Sequence, residues 1–120
     1  MLFIPGEFQL HSGQISNFKI ECDSLNGTEL ELFAKLIAEK VKFKKVVGVP
    51  TGGDRLEAFL SDHITDDDTL PILIVDDVLT TGNSIKEIRK TINDKNVVGV
   101  VLFARGKCPK WVTPIFTMWK

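Results

Sequence analysis

Apolar residues follow two rhythms along this chain. Unbroken or alternating runs at Val46–Val49, Ile72–Val75, Val97–Ala104 and Ile115–Trp119 read as strands, the first three buried. Between them the spacing opens to that of a helix. Leu30, Phe33, Ile37 and Val41 predict a helix that runs to about Phe43, with Lys35, Glu39 and Lys42 on its outer face. Asn26-Gly27 predicts a turn, and Thr28 with Glu31 three residues on predicts a capping box. A second helix is expected from about Arg55 to His63, and a third carries Ile85, Ile88 and Ile92 on its buried face. Asn93–Asn96 is a turn and Pro109–Pro114 a loop. Trp111 in that loop and Trp119 are open between core, pocket wall and dimer contact. Ahead of all this, Phe8 and Leu10 alternate with polar residues, as do Phe18 and Ile20, around turn-rich His11–Asn17. Gly6–Asp23 therefore reads as a hairpin-like arm.

Strands that alternate with helices predict an α/β fold, a small doubly wound and mainly parallel sheet with an N-terminal β arm. The link from Val46–Val49 to Ile72–Val75 is expected to be one right-handed β-α-β crossover. With 120 residues and a 43% apolar fraction, residues 1–120 suit one domain. A formal charge of −1 argues against a nucleic-acid partner. Cys22 and Cys108 lie far apart, as reduced thiols of a cytoplasmic protein would, and His11 and His63 lack the spacing of zinc ligands. Met1–Ile4 is cut short by Pro5-Gly6-Glu7 and does not read as a signal peptide. The longest apolar run, Val97–Ala104, is too short to span a bilayer, so no membrane partner is expected.

The chemistry concentrates in Ile72–Ser84. Four apolar residues run into Asp76 and Asp77, and Thr80, Thr81, Gly82, Asn83 and Ser84 follow before a helix begins. A strand that feeds a helix N-terminus presents backbone N–H groups and a positive dipole, which suit a phosphate. Gly82 permits a positive φ or a close approach. Two carboxylates are too much negative charge for a phosphate alone, and suit a ligand that also carries hydroxyls or a magnesium ion. A phosphate, a vicinal diol and a metal-bound pyrophosphate in one molecule meet all these demands. Thr51, Gly52 and Gly53 form a second glycine-rich turn between a strand and a helix, again an anion-binding geometry. No Gly-Lys-Ser/Thr follows it, and its spacing is not that of a dinucleotide fingerprint. Arg55 next to it either supplies a cation to an anion or is a surface residue. Two rival readings are an ordinary strand–turn–helix with a solvated acidic pair, and a receiver domain, whose acidic pair would follow the first strand.

Ile72–Ser84 closely resembles the signature of the type I phosphoribosyltransferases: an apolar strand, two acidic residues, a short apolar link, then Thr-Thr-Gly. Phe8, Leu10, Ser12, Gly13 and Ser16 resemble the N-terminal segment of the orotate branch, with His11 where a lysine is usual and Lys19 and Ile20 in place of aromatics. The resemblance implies binding of phosphoribosyl pyrophosphate and magnesium, and transfer of the phosphoribosyl group to a nitrogenous base, with a non-catalytic phosphoribosyl pyrophosphate or nucleotide-binding module as the alternative. It implies that Asp76 and Asp77 are catalytic, hold the ribose hydroxyls and share the magnesium through water and ligand. Thr80, Thr81, Gly82, Asn83 and Ser84 would hold the 5-phosphate, and Thr51, Gly52 and Gly53 the pyrophosphate. His11, Ser12, Phe18, Lys19 and Arg105 would form the base pocket, and a homodimer is implied. Family members carry an edge strand and a basic lid loop after the second helix. Here that interval is only Ile64–Pro71, with Asp66, Asp67 and Asp68, whose charge would repel a pyrophosphate. The lid and its strand are expected to be missing, with the arm as the other segment long enough to cover a site.

Overall fold

The computed structural model describes residues 3–9, 15–20 and 25–118. Its element order is β1 (Phe3–Gln9), β2 (Ile15–Ile20), α1 (Gly27–Lys40), β3 (Lys45–Gly48), α2 (Asp54–Leu60) with a 3-10 turn at Ser61–His63, β4 (Ile72–Leu79), α3 (Asn83–Thr91), β5 (Val97–Ala104) and β6 (Val112–Thr117). β1 and β2 pair antiparallel as a separate two-stranded sheet, with an irregularity between Pro5 and Phe8. This is the expected arm, although β1 begins before Gly6 and β2 starts inside the stretch read as a turn.

The main sheet has the order β3-β4-β5-β6 and is parallel throughout. Side chains alternate across each strand, so each strand feeds two cores. Val46, Leu73, Val75, Val100 and Leu102 pack with Leu30, Ala34 and Ile37 of α1 and Leu56 and Leu60 of α2. Ile72, Ile74, Val97 and Val101 pack with Ile85 of α3 and with Val112. The sheet is thus covered on both faces, as a doubly wound fold requires.

This arrangement overturns the expected crossover. From β3 to β4 to β5 the chain steps in one direction, yet α2 lies on one face and α3 on the other. Two such connections must be of opposite hand. The β5–β6 connection carries Cys108 and Trp111 on the α3 face, so it shares the hand of the α3 crossover. The α2 crossover is the odd one, and it departs from a strong right-handed rule. Trp111 is settled by the same packing, since it lies against the α3-side core. Trp119 lies outside the described residues.

Element limits shift for local reasons. The α1 capping box belongs to Asn26 and Glu29, not Thr28 and Glu31: Asn26 Oδ1 accepts from Glu29 N at 2.8 Å and Glu29 Oε1 from Asn26 N at 3.1 Å. The helix ends at Lys40, and Phe43 is a fully buried residue of the connection that follows. β6 begins at Val112 and includes Pro114, which an edge strand tolerates. β4 does not stop at Val75. It stays paired with β5 through Asp76↔Val101, Val78↔Phe103 and Leu79↔Ala104, so both aspartates lie inside the strand.

Ile64–Pro71 leads into the amino end of β4. There Thr65 N donates to Phe43 O, Lys44 N to Pro71 O and Asn96 Nδ2 to Thr69 O. The acidic loop is at the opposite end of the sheet from Asp76 and Asp77, so its charge does not bear on a ligand there. No helix among the described residues is long and apolar enough to cross a membrane.

Candidate functional site

In a parallel α/β sheet, ligands bind beyond the carboxyl ends of the strands. Here two clefts meet that edge, one on each side of β4. Alternation along β4 sends Asp77 to the α1/α2 side, where it lines a shallow cleft with Leu25, Leu30, Thr51, Gly52, Arg55, Leu56 and Leu102. Asp76 lines a second shallow cleft on the other side, with residues 78–85. The adjacent acids therefore connect two loops that the sequence pattern singled out separately.

The loop after β3 is packed hard onto β4. Val49 N donates to Val75 O at 2.9 Å and Gly53 N to Val49 O at 2.7 Å. A side chain at Gly52 would overlap the Asp77 carboxylate, so glycine is what lets this turn sit directly on the acid. Glu57, which sequence reasoning passed over, braces the turn: its Oε1 accepts from Gly48 N at 2.7 Å. Its only local signal is its place one turn into α2. Arg55 Nη2 donates to Leu25 O at 2.6 Å, so this guanidinium ties the cleft wall together as well as lining it.

The loop after β4 ends in Gly82, whose φ of 83° is the left-handed conformation that other residues adopt only with strain. Gly82 is the N-cap of α3 and brings no side chain to cap it. Thr81 Oγ1 accepts from Asn83 N at 3.3 Å, while Thr81, Asn83 and Ser84 are exposed. Arg105 stands at the end of β5, its N–H donating to Leu79 O at 2.8 Å, and Gly106 packs against the Thr80 carbonyl. Three motif-bearing strand ends thus adjoin. Of the residues assigned to a base pocket, Arg105 is the one whose surroundings are described. Phe18 and Lys19 lie in β2, paired with Pro5 and Ile4, and His11 and Ser12 lie outside the described residues.

Asp76 is 8% exposed, unlike the solvated acid of the rival strand–turn–helix reading. Its Oδ1 accepts from Asp77 N at 2.8 Å, and Asp77 Oδ1 accepts from Val78 N at 2.7 Å. Burial first, and then the hydrogen bond and charge of Asp77, push the Asp76 carboxyl up to about 8. Burial thus favours the neutral form of the Asp76 carboxyl, which leaves room for a phosphate beside it.

The donor set also bears on magnesium. Among the described residues no three His, Cys, Asp or Glu side chains converge on a common point. Asp76 and Asp77 line different clefts. The residues fit a magnesium ion that keeps its water and ligand oxygens and touches one carboxylate, the usual habit of this ion, and not a protein-built cage.

No family model matches the sequence, and no curated protein does. Solved structures do. Orotate phosphoribosyltransferase from Aeropyrum pernix superposes with a TM-score of 0.77 at 22% identity, covering 98% of this chain and 88% of that one. The fold is that of a type I phosphoribosyltransferase. The Francisella tularensis orotate enzyme gives 0.67 at 22% identity, covering 97% of this chain and 80% of its own. The likeness extends more weakly to the xanthine-guanine-hypoxanthine phosphoribosyltransferase of Helicobacter pylori, at 0.52, 22% identity, 73% of this chain and 86% of that one. As expected from the short interval between α2 and β4, no edge strand lies beyond β3 in the main sheet among the described residues.

Proposed function

We propose that this chain is a small phosphoribosyltransferase that binds phosphoribosyl pyrophosphate with magnesium and transfers the phosphoribosyl group to a nitrogen of a base, an orotate-type pyrimidine. The observation that carries this is the placement of Asp76 and Asp77 on opposite sides of one strand end, each facing a different glycine-bearing loop. The ligand would straddle β4. Its 5-phosphate would rest on Thr80, Thr81, Gly82, Asn83 and Ser84, at the uncapped start of α3. Its pyrophosphate would lie on Thr51, Gly52 and Gly53, and its ribose hydroxyls between Asp76 and Asp77. Magnesium bound there would neutralise charge on the leaving pyrophosphate, with Asp77 the carboxylate on that side. The C1–O bond breaks with its electron pair leaving on pyrophosphate, and the base nitrogen forms the new C1–N bond. The Asp77 carboxylate would favour the oxocarbenium character that develops at C1. Asp76, protonated in the free protein, can donate to a ribose oxygen. His11, Ser12, Phe18, Lys19 and Arg105 would surround the base. A cytoplasmic setting and a homodimer belong to the same proposal.

A second reading is a non-catalytic module for phosphoribosyl pyrophosphate or a nucleotide. Two observations favour it. The loop at Ile64–Pro71 lies at the wrong end of the sheet to exclude water from an oxocarbenium centre, a task that usually falls to a closing loop. A Neisseria gonorrhoeae protein described with bound ppGpp also shares the fold, at a TM-score of 0.51 and 18% identity, covering 78% of this chain and 81% of that one.

The deciding experiment incubates the purified protein with phosphoribosyl pyrophosphate, magnesium and a panel of bases, and measures ligand binding and pyrophosphate release together. Release with orotate supports the enzyme proposed. Release with another base only would correct the acceptor, and tight binding without release from any base would establish the module instead.

A further inference from the structure

Among the described residues β3 is an edge strand of the main sheet, and the N–H groups on its outer side have no strand to pair with. In a parallel ladder the N–H groups of neighbouring residues point to opposite sides of their strand. Val49 N donates to Val75 O at 2.9 Å, toward β4, so the N–H of Gly48 points the other way, out of the sheet edge. Gly48 is buried, and a buried N–H without an acceptor is costly. A further strand would ordinarily take this N–H. Here Glu57 takes it, with Oε1 accepting at 2.7 Å from across the turn that joins β3 to α2.

The same residue holds the far end of that turn. Glu57 N donates to Gly53 O at 2.9 Å, and Gly53 N donates to Val49 O at 2.7 Å. Glu57 thus grips residue 48 with its side chain and residue 53 with its backbone, and Thr51 and Gly52 lie between the two grips. The packing leaves no slack. A side chain on Gly48 would overlap the Gly53 carbonyl, and one on Gly53 would overlap the Val75 carbonyl of β4. Gly52 in turn lies directly on the Asp77 carboxylate. A side chain at position 57 that lets go of Gly48 would free the entry of the turn while its exit stays tied to Val49. The turn would then shift over Asp77, where the proposed pyrophosphate lies. The loop at Thr80–Ser84 is held by other elements: Arg105 N donates to Leu79 O at 2.8 Å and Lys86 N to Gly82 O at 3.1 Å. It should not feel the change.

We infer that Glu57 is a positioning residue for the pyrophosphate: it takes the place of a strand at the edge of β3 and so fixes Thr51, Gly52 and Gly53 against Asp77. The inference rests on the pyrophosphate site of the proposed function and adds the residue that tunes its affinity. What Glu57 contributes is an acceptor oxygen at the right reach, not a charge.

The test compares the parent with Glu57→Ala, Glu57→Asp and Glu57→Gln in calorimetric titrations of each purified chain, once with pyrophosphate and magnesium and once with ribose 5-phosphate. Aspartate keeps the charge and is one methylene too short, whereas glutamine keeps the reach and the acceptor and loses the charge. Glu57→Ala and Glu57→Asp should each bind pyrophosphate roughly tenfold more weakly or worse, as expected of a small misplacement of a binding loop, and bind ribose 5-phosphate within about twofold of the parent. Glu57→Gln should bind both ligands nearly as the parent does. If Glu57→Ala does not fold, the aspartate and glutamine variants carry the comparison. Parent-like pyrophosphate binding by Glu57→Asp, a loss shared equally by ribose 5-phosphate, or a glutamine variant as weak as the aspartate one would each overturn the inference and leave the proposed site standing. A parent that binds ribose 5-phosphate but no pyrophosphate would overturn the pyrophosphate site itself, and this inference with it.

Discussion

The two ends of the main sheet both carry aspartates, and the structure treats them in opposite ways. At the amino end, Asp67 is exposed and accepts from Thr69 N at 2.9 Å and Thr69 Oγ1 at 2.6 Å, which holds its carboxyl below the usual range. Asp94 is likewise held low, first by the Asn96 N–H and then by Lys44 at 3.1 Å. Lys44 also reaches the Asp68 carbonyl at 3.3 Å. These acids close turns, and each has its charge answered locally. At the carboxyl end Asp76 is buried, held by its own neighbour's N–H, and pushed up to about 8. A carboxyl whose pKa is shifted this far by burial in a cleft marks a candidate functional site. A run of acids in a sequence thus says little until its surroundings are known: Asp67, in a run of three aspartates, closes a turn, and Asp76 and Asp77 form the candidate site.

The largest effect that could break this contrast lies with Asp76. Its folded pKa is raised, so between about pH 4 and pH 8 the folded protein holds a proton that the unfolded chain releases. Stability is then highest, as far as this group is concerned, below the unfolded value, and is lost as pH rises toward 8. Asp76→Asn removes that loss. Thermal or denaturant unfolding of the metal-free variant should show a gain on the order of a few kcal/mol at pH 8 that shrinks toward pH 4. Parallel pH profiles for variant and parent would mean that Asp76 is as ordinary as Asp67.

A smaller effect is expected at Gly52. Valine there would displace the Asp77 carboxylate, a side chain that can move, so the fold should survive at a cost of about 1–3 kcal/mol. Magnesium-dependent affinity for phosphoribosyl pyrophosphate should fall by roughly tenfold or more, about 1.4 kcal/mol, in calorimetric titration. Unchanged affinity would uncouple the turn from the acid. The smallest effect belongs to the amino end. Asp67→Ala should lower the melting temperature slightly, by freeing Thr69, and leave every ligand titration as it was. A ligand effect from Asp67 would erase the distinction between the two ends.

Much of this was legible in the residues. Val97–Ala104 is β5 to the residue, because a buried strand is apolar on both faces and its limits are where that stops. The glycine loops stand at the strand ends where Thr51-Gly52-Gly53 and Thr80–Ser84 placed them. What was hidden depends on contacts made across the chain. The apolar run of β4 ends at Val75, but its ladder with β5 carries the strand through Asp76 and Asp77 to Leu79, and only that ladder shows that the acids face opposite sides. Asn26/Glu29 and Thr28/Glu31 offer the same capping spacing, and α1 starts at Gly27, which makes Asn26 the cap. The hand of the α2 crossover has no local signal at all. It follows from α2 sharing a face with α1 rather than with α3. The position of Asp66–Asp68, opposite the site, follows from the contacts of Phe43 and Asn96 with that loop.

The most direct test of the central claim, that the carboxyl end of β4 is a phosphosugar site, is a calorimetric titration of the purified chain with ribose 5-phosphate, beside the same titration of Gly82→Val. A β-branched residue is strongly disfavoured at a φ of 83°, so the loop at the start of α3 must rearrange. The account predicts saturable binding by the parent and none that can be measured by the variant, with the variant still folded. Equal binding by both proteins, or no binding by the parent, would contradict it.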